Sequence, residues 1–160
     1  VLLPDDIMMG ATPAIGQLMS LHQETGLGAF SLIEVPPGKE SSYGIISGDD
    51  LGGSRYRIRS MVEKPQPQDA PSNLGIVGRY VLPASTFDHI ADTKRGAGGE
   101  IQLTDALNKL MQNDGFLGQI LDAKRFDTGE VGGLIEANIA VAMEDPELRA
   151  RLLNFMKSYQ

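Results

Sequence analysis

The stretch "MVEKPQPQDAPSNLGIVGRYVL", residues 61–82, joins two strand-like runs across a segment that holds three prolines. The second run, "LGIVGRYVL" (74–82), is almost continuously apolar, which predicts a strand near the centre of a sheet with both faces covered. Proline cannot donate to a strand ladder, so the chain leaves the sheet after Lys64 and returns to it at Leu74. Glu63 and Lys64 stand where it leaves. Side chains alternate along a strand, so this acid and this base are predicted to point to opposite faces unless the chain twists at Pro65, and to make two separate contacts rather than one salt bridge.

Working outward, "SRYRIRSMVEK" (54–64) alternates Tyr56, Ile58 and Val62 with three arginines, the pattern of a strand with one buried and one wet face. It pairs with "YGIIS" (43–47) across the turn-rich "GDDLGG", and "AFSLIEV" (29–35) is a further strand. Val1–Leu3 reads as a short buried strand ending at Pro4, with Asp5 and Asp6 just beyond it. Thr12 as N-cap and Pro13 at the first helical position start a helix with Ile15, Leu18, Met19 and His22 on one face, stopped by Gly26. "PASTFDHIADTK" predicts a short helix, and "KRGAGGE" (94–100) a loop too rich in glycine for regular structure. "IQLTDALNKLMQND" (101–114) spaces Leu103, Ala106, Leu107, Leu110 and Met111 as a helix, which Gly115 stops. "FLGQILD" is a strand, "AKRFDTGEVGG" a loop and "LIEANIAVAME" a helix. Asp145 and Pro146 cap a last helix with the stripe Leu148, Leu152, Phe155. Strands alternate with helices without internal repeats, so the class is α/β in a single domain over residues 1–160.

Composition narrows the function. The 160 residues carry a net charge of −7, which disfavours a nucleic-acid partner. There is no cysteine, so thiolate catalysis and zinc–thiolate sites are excluded, and the two histidines, His22 and His89, stand far apart. Any metal is therefore a hard cation held by oxygen. No apolar run approaches the roughly 18 residues of a membrane span, and the N-terminus lacks a signal-peptide layout, so the expectation is a cytoplasmic protein with no membrane partner.

In α/β sheets ligands gather beyond the carboxyl ends of strands, where Asp5, Glu63 with Lys64, and Asp127 all fall. Singly, each has a plain explanation: a solvated turn at Asp5 and Asp6, a surface pair at Glu63 and Lys64, a helix cap at Asp127. Jointly they match what a Mg²⁺ ion shared with substrate phosphates requires, one or two carboxylates with water and phosphate oxygens completing the shell. Glu63 can accept from a polyol, and Lys64 can meet a phosphate as a point charge. Gly44 and Gly78, each inside a strand, suit close approach of a ligand to the backbone. Arg55, Arg57 and Arg59 read as a solvated face balanced by Asp49 and Asp50.

Several segments, in order and spacing, resemble the bacterial UTP:glucose-1-phosphate uridylyltransferases, or UDP-glucose pyrophosphorylases: "LPDD" (3–6), "SYGII" (42–46), "MVEKP" (61–65), "APSNLGIVGRYVL" (70–82), "GAGGEIQLTDAL" (96–107) and "RFDTGEVGG" (125–133). "VEKP" is common to sugar nucleotidyltransferases at large, whereas "APSNLGIVGRYVL" followed by "GEIQLTDAL" resembles the UDP-glucose branch. The resemblance implies a Rossmann-like fold, a mixed and mostly parallel sheet flanked by helices. It also implies a Mg²⁺-dependent reaction of UTP with glucose 1-phosphate to UDP-glucose and pyrophosphate, without a protein nucleophile. By motif, Asp5 and Asp127 become the metal ligands, with Asp6 a weaker candidate. Lys64 and Asp5 carry catalysis. Glu63 meets glucose hydroxyls, Lys64 the sugar phosphate, and Gly44, Gly78 and Tyr80 line the sugar pocket. The family is homo-oligomeric, with the last helix (145–160) a reasonable contact.

One departure counts against a complete site. The family's G-x-G-T-R nucleotide loop has no counterpart in the 160 residues, and "GAGGE" at 96–100 follows a helix and lacks the arginine. The chain therefore resembles the C-terminal portion, with metal and sugar residues but without the triphosphate loop, and is expected to be inactive alone. The alternatives are a non-catalytic sugar-phosphate binding or regulatory remnant, and a sister nucleotidyltransferase using another sugar or base. An in-frame G-x-G-T-R upstream of Val1 would favour the enzyme.

Overall fold

The computed structural model describes residues 1–93 and 103–159. In chain order the elements are β1 (Asp6–Met9), α1 (Ala14–Thr25), β2 (Gly28–Glu34), β3 (Gly44–Gly52), β4 (Arg55–Glu63), β5 (Leu74–Val81), α2 (Thr86–Ala91), α3 (Leu103–Asp114), β6 (Phe116–Ile120), β7 (Lys124–Asp127), α4 (Val131–Glu144) and α5 (Pro146–Lys157). The expected α/β class holds. The predicted glycine-rich loop at 94–100 lies outside the described residues.

Five strands close on themselves in the order β2-β5-β3-β4-β6, with β6 returning to β2, while β1 and β7 form a separate antiparallel ribbon. The sheet is mixed, but among the described strands only β2 and β6 pair in parallel. The expectation of a mostly parallel sheet fails here for a geometric reason. β3 and β4 are joined through Gly53 and Ser54 alone, both at positive φ (61° and 64°), a two-residue hairpin turn. So short a link allows only antiparallel pairing. β5 is central as predicted, pairing β2 on one edge and β3 on the other.

The interior of the closed sheet is filled by Phe30, Leu32, Ile46, Ile58, Met61, Ile76 and Phe116, and α3 closes over it with Leu107, Leu110 and Met111. Phe30 stacks on Phe116 with centroids 4.9 Å apart and meets Tyr80 edge-on at 5.5 Å. α1 packs on the outside through Leu18 and Leu21, while Met19, expected inward, is half exposed. Thr12 does not cap α1, which begins one residue later than predicted after Pro13, but Gly26 ends it in the left-handed conformation.

Three further expectations are corrected. Val1–Leu3 is not a buried strand: its side chains are exposed and it only runs beside β5, with Leu3 N–H donating to Gly78 O at 2.9 Å and Tyr80 N–H to Val1 O at 3.0 Å. The strand there is β1, which begins at Asp6. "KRFD" is not loop but β7, because it finds a partner in β1, with Asp6 opposite Asp127. Along β4 the inward residues are Ile58 and Met61, and Val62 is exposed. The ladder to β3 pairs Ser60 with Ser47 but Ile58 with Gly48, leaving Arg59 as an extra residue, and this bulge reverses the alternation beyond it. A side chain at Gly48 would press on Arg57 O at 2.6 Å, which fixes glycine opposite the bulge. Of the arginines on this strand, Arg59 pairs with Asp49, as expected of a solvated face, and Arg55 with Glu24.

Candidate active site

The bulge decides what β4 offers at its end. With Met61 inward, Glu63 also turns inward, above the core rather than away from it. Lys64 should then point outward, but its φ of +46° breaks the alternation. Both residues line one cleft of about 310 Å³. The expectation that they face opposite ways is thus corrected: the twist falls on Lys64 itself, one residue before Pro65. A left-handed backbone costs a lysine about 1–2 kcal/mol, and the bond from Lys64 N–H to Tyr43 O (3.0 Å) helps hold it. The two are not salt-bridged among the described residues.

The same cleft is lined by Asp5, Asp6, Gly44, Tyr80, Arg125 and Asp127. Its acidic side follows from the β1–β7 ribbon, whose antiparallel register brings the start of β1 against the end of β7. Thr128 reaches back across it, donating from N–H and Oγ1 to Asp5 O at 2.7 and 2.9 Å. A Cβ placed on Gly129 would lie 3.2 Å from Asp127 Oδ1 and 3.4 Å from Asp5 Oδ2, so the two carboxylates converge on one small volume. Two convergent carboxylates without nitrogen or sulfur donors suit a hard divalent cation that also holds phosphate oxygens. No group of three or more metal-ligating side chains occurs among the described residues.

Asp6 does something different. It is buried, and its carboxylate receives the Nε–H of Arg125, while Arg79 donates to its carbonyl at 2.8 Å. Arg125 also donates from Nη2 to Asp127 Oδ2 at 3.0 Å and lies over the Tyr43 ring at 5.6 Å. Burial works against its charge, but the bonds to Asp6 and Tyr43 outweigh this and keep its pKa above the ordinary arginine value. Gly78 is not among the residues lining the cleft. Its φ is +39°, and a Cβ there would strike the Asp6 side chain at 2.5–2.9 Å, so this glycine admits Asp6. Gly44 does border the cleft and faces Glu63 Oε2, which lies 3.1 Å from the place of its missing Cβ. Burial, then the charges of Glu63, Asp6 and Asp5, push the Tyr80 phenol up to about 12, so at neutral pH it is a hydrogen-bond donor.

Sequence reasoning missed Arg125, Tyr43 and Thr104, all of which line this cleft. A signal existed for Arg125. In "KRFD" the period of two puts Arg125 and Asp127 on one face and Phe126, which is buried, on the other, but four mostly polar residues read as loop.

A family model for nucleotidyl transferases matches residues 1–144, and the chain belongs to that family. Among curated proteins it is similar to UTP–glucose-1-phosphate uridylyltransferase of Staphylococcus haemolyticus, 42% identical over 157 residues, which are 98% of this chain and 54% of the relative. The uridylyltransferase YngB of Bacillus subtilis is 39% identical over 98% of this chain and 53% of its own length. The chain thus spans about half the length of the curated relatives it matches. Among solved structures, a UDP-glucose pyrophosphorylase complexed with UDP-glucose superposes with a TM-score of 0.84 at 37% identity, over 91% of this chain and 56% of that one. A UTP-bound enzyme from Acinetobacter baumannii gives a TM-score of 0.87 at 28% identity, over 100% of this chain and 56% of that one.

Proposed function

We propose that this chain supplies the sugar-phosphate and metal side of a uridylyl transfer in which UTP and glucose 1-phosphate give UDP-glucose and pyrophosphate. The observation that carries the reading is the single cleft shared by Asp5, Gly44, Glu63, Lys64, Tyr80 and Asp127, residues that lie up to 122 positions apart in the sequence. A phosphate oxygen of glucose 1-phosphate attacks the α-phosphorus of UTP, the bond from that phosphorus to the bridging oxygen breaks, and pyrophosphate leaves. No side chain forms a covalent bond, so catalysis rests on placement and charge.

Each residue then has a task. Glu63 accepts from glucose hydroxyls, Gly44 leaves the sugar room beside it, and the neutral Tyr80 phenol donates. Lys64 meets the sugar phosphate. Asp5 and Asp127 would hold a divalent cation, Mg²⁺ in our reading, which when bound neutralises phosphate charge. Arg125 keeps the acidic side from repelling a dianion by neutralising Asp6 and engaging one oxygen of Asp127. Gly78 serves by seating Asp6. A cytoplasmic location belongs to the same proposal. So does self-association through α5, whose Leu148 and Phe155 are 41% and 60% exposed.

Calorimetric titration of glucose 1-phosphate with Mg²⁺ tests the reading. Lys64→Ala should weaken binding about 10- to 100-fold, the loss of one charge-assisted hydrogen bond. Equal affinity in parent and variant would remove Lys64 from the site. Because "G-x-G-T-R" is not among these residues, a coupled pyrophosphate-release assay on the 160-residue chain should register no turnover, and turnover would overturn that expectation. The alternative reading is sugar-phosphate binding without transfer. It would prevail if glucose 1-phosphate bound and supplying the nucleotide-loop portion of a relative restored no UDP-glucose formation.

A further inference from the structure

We infer that Thr104, on the first turn of α3, is a positioning residue that sets the Glu63 carboxylate for its sugar. This rests on the reading of the cleft as a sugar-phosphate site. Thr104 Oγ1 donates to Glu63 Oε2 at 3.0 Å. The same oxygen faces Gly44, so the carboxylate is held between a hydroxyl and a bare Cα. Oε1 has no hydrogen-bond partner among the described residues and is left to accept from a ligand hydroxyl.

The donor is itself fixed. Thr104 and Asn108 are four residues apart and share one face of α3. Pairing of β6 with β4 stops at Phe116 opposite Ile58, which leaves the outer edge of β4 free beyond that point. The Asn108 amide fills it, accepting from Met61 N–H at 3.0 Å and donating to Met61 O at 2.9 Å. These two bonds satisfy backbone groups of Met61 that the β6–β4 pairing leaves without partners. Ala106, Leu107 and Leu110 anchor the helix in the core. The helix is thus tied to β4 two residues before Glu63 and can present a hydroxyl to it at a set distance. An exposed glutamate otherwise samples many rotamers, and ordering it before the ligand arrives removes that entropy from the cost of binding.

The test compares Thr104→Val, which keeps the branched shape without the donor, with Thr104→Ser, which restores the hydroxyl. Glucose 1-phosphate is titrated into the parent chain and both variants in the presence of Mg²⁺, and melting temperatures are recorded. The expected result is a five- to tenfold weaker affinity for Thr104→Val, the ordering of one glutamate side chain now falling on binding, with Thr104→Ser within about twofold of the parent and all three melting alike. Unchanged affinity in Thr104→Val overturns the inference. So does an equal loss in both variants, which would make the position structural. A parent chain that takes up no glucose 1-phosphate overturns the reading of the cleft and this inference with it, whereas a parent that binds and a valine variant that binds equally well overturn this inference alone.

Discussion

The two walls of the cleft are made by different physics. The wall that holds Gly44, Glu63 and Tyr80 hangs on the closed sheet, and its geometry comes from a packed apolar interior, one bulge at Arg59 and the seating of α3. The opposite wall, Asp5, Asp6, Arg125 and Asp127, stands on a ribbon of two four-residue strands held by ion pairs, with Phe126 as its buried anchor. Apolar burial is non-directional and largely indifferent to charge, whereas an ion pair depends on both partners being present and charged. The first wall is therefore expected to survive charge changes that dismantle the second.

The largest effect should come from Arg125→Ala. It leaves the Asp6 carboxylate, 5% exposed, without its guanidinium, and an uncompensated buried charge costs about 3–5 kcal/mol. Urea denaturation at neutral pH measures this directly. A loss below about 1 kcal/mol would mean that packing, not charge, holds the ribbon.

Tyr80 sharpens the comparison because it stands on the packed wall yet feels the acids of both. Its phenol titrates near 12 in the folded protein against 10.0 when free, through burial first and then the charges of Glu63, Asp6 and Asp5. The folded state holds the proton more tightly, so this contribution to stability is complete below pH 10 and is lost as the pH rises from 10 towards 12, by at most roughly 3 kcal/mol at 1.36 kcal/mol per unit. Unfolding free energies measured at pH 8, 10 and 11 should show that decline in the parent and not in Tyr80→Phe. The same slope in both would assign it to other groups.

How far each wall was legible in the sequence follows the same division. The packed wall announced itself through periodicity: "AFSLIEV", "LGIVGRYVL" and the Leu103–Met111 spacing became β2, β5 and α3 because the apolar residues that define a period also build the interior. The acidic wall did not, since β1 and β7 are four residues each and are strands only because they meet, a pairing between positions about 120 apart that no local window contains. The motif residues were visible by resemblance, but not why they converge. The bulge that turns Glu63 inward leaves no mark in the hydrophobic pattern except Met61, which falls out of step with Ile58. Lys64 gave no sign of its left-handed backbone, because lysine carries no preference for it.

Lys64 also offers the finest test of the difference between the walls. Its φ of +46° is strain held at the end of the packed wall, and glycine would adopt that backbone without penalty. Lys64→Gly should therefore leave stability unchanged or raise it by up to about 1 kcal/mol, the relief being partly offset by the greater freedom of glycine in the unfolded chain. Glucose 1-phosphate affinity should fall as it does in Lys64→Ala, whose own stability stays near the parent's because alanine keeps the strained Cβ. The pair of variants separates the two quantities: equal affinities with different stabilities place the strain in the backbone and the function in the ammonium. Should Lys64→Gly instead unfold more readily than Lys64→Ala, the positive φ would be no source of strain, and the inward turn of Lys64 would owe its existence to contacts of the side chain itself.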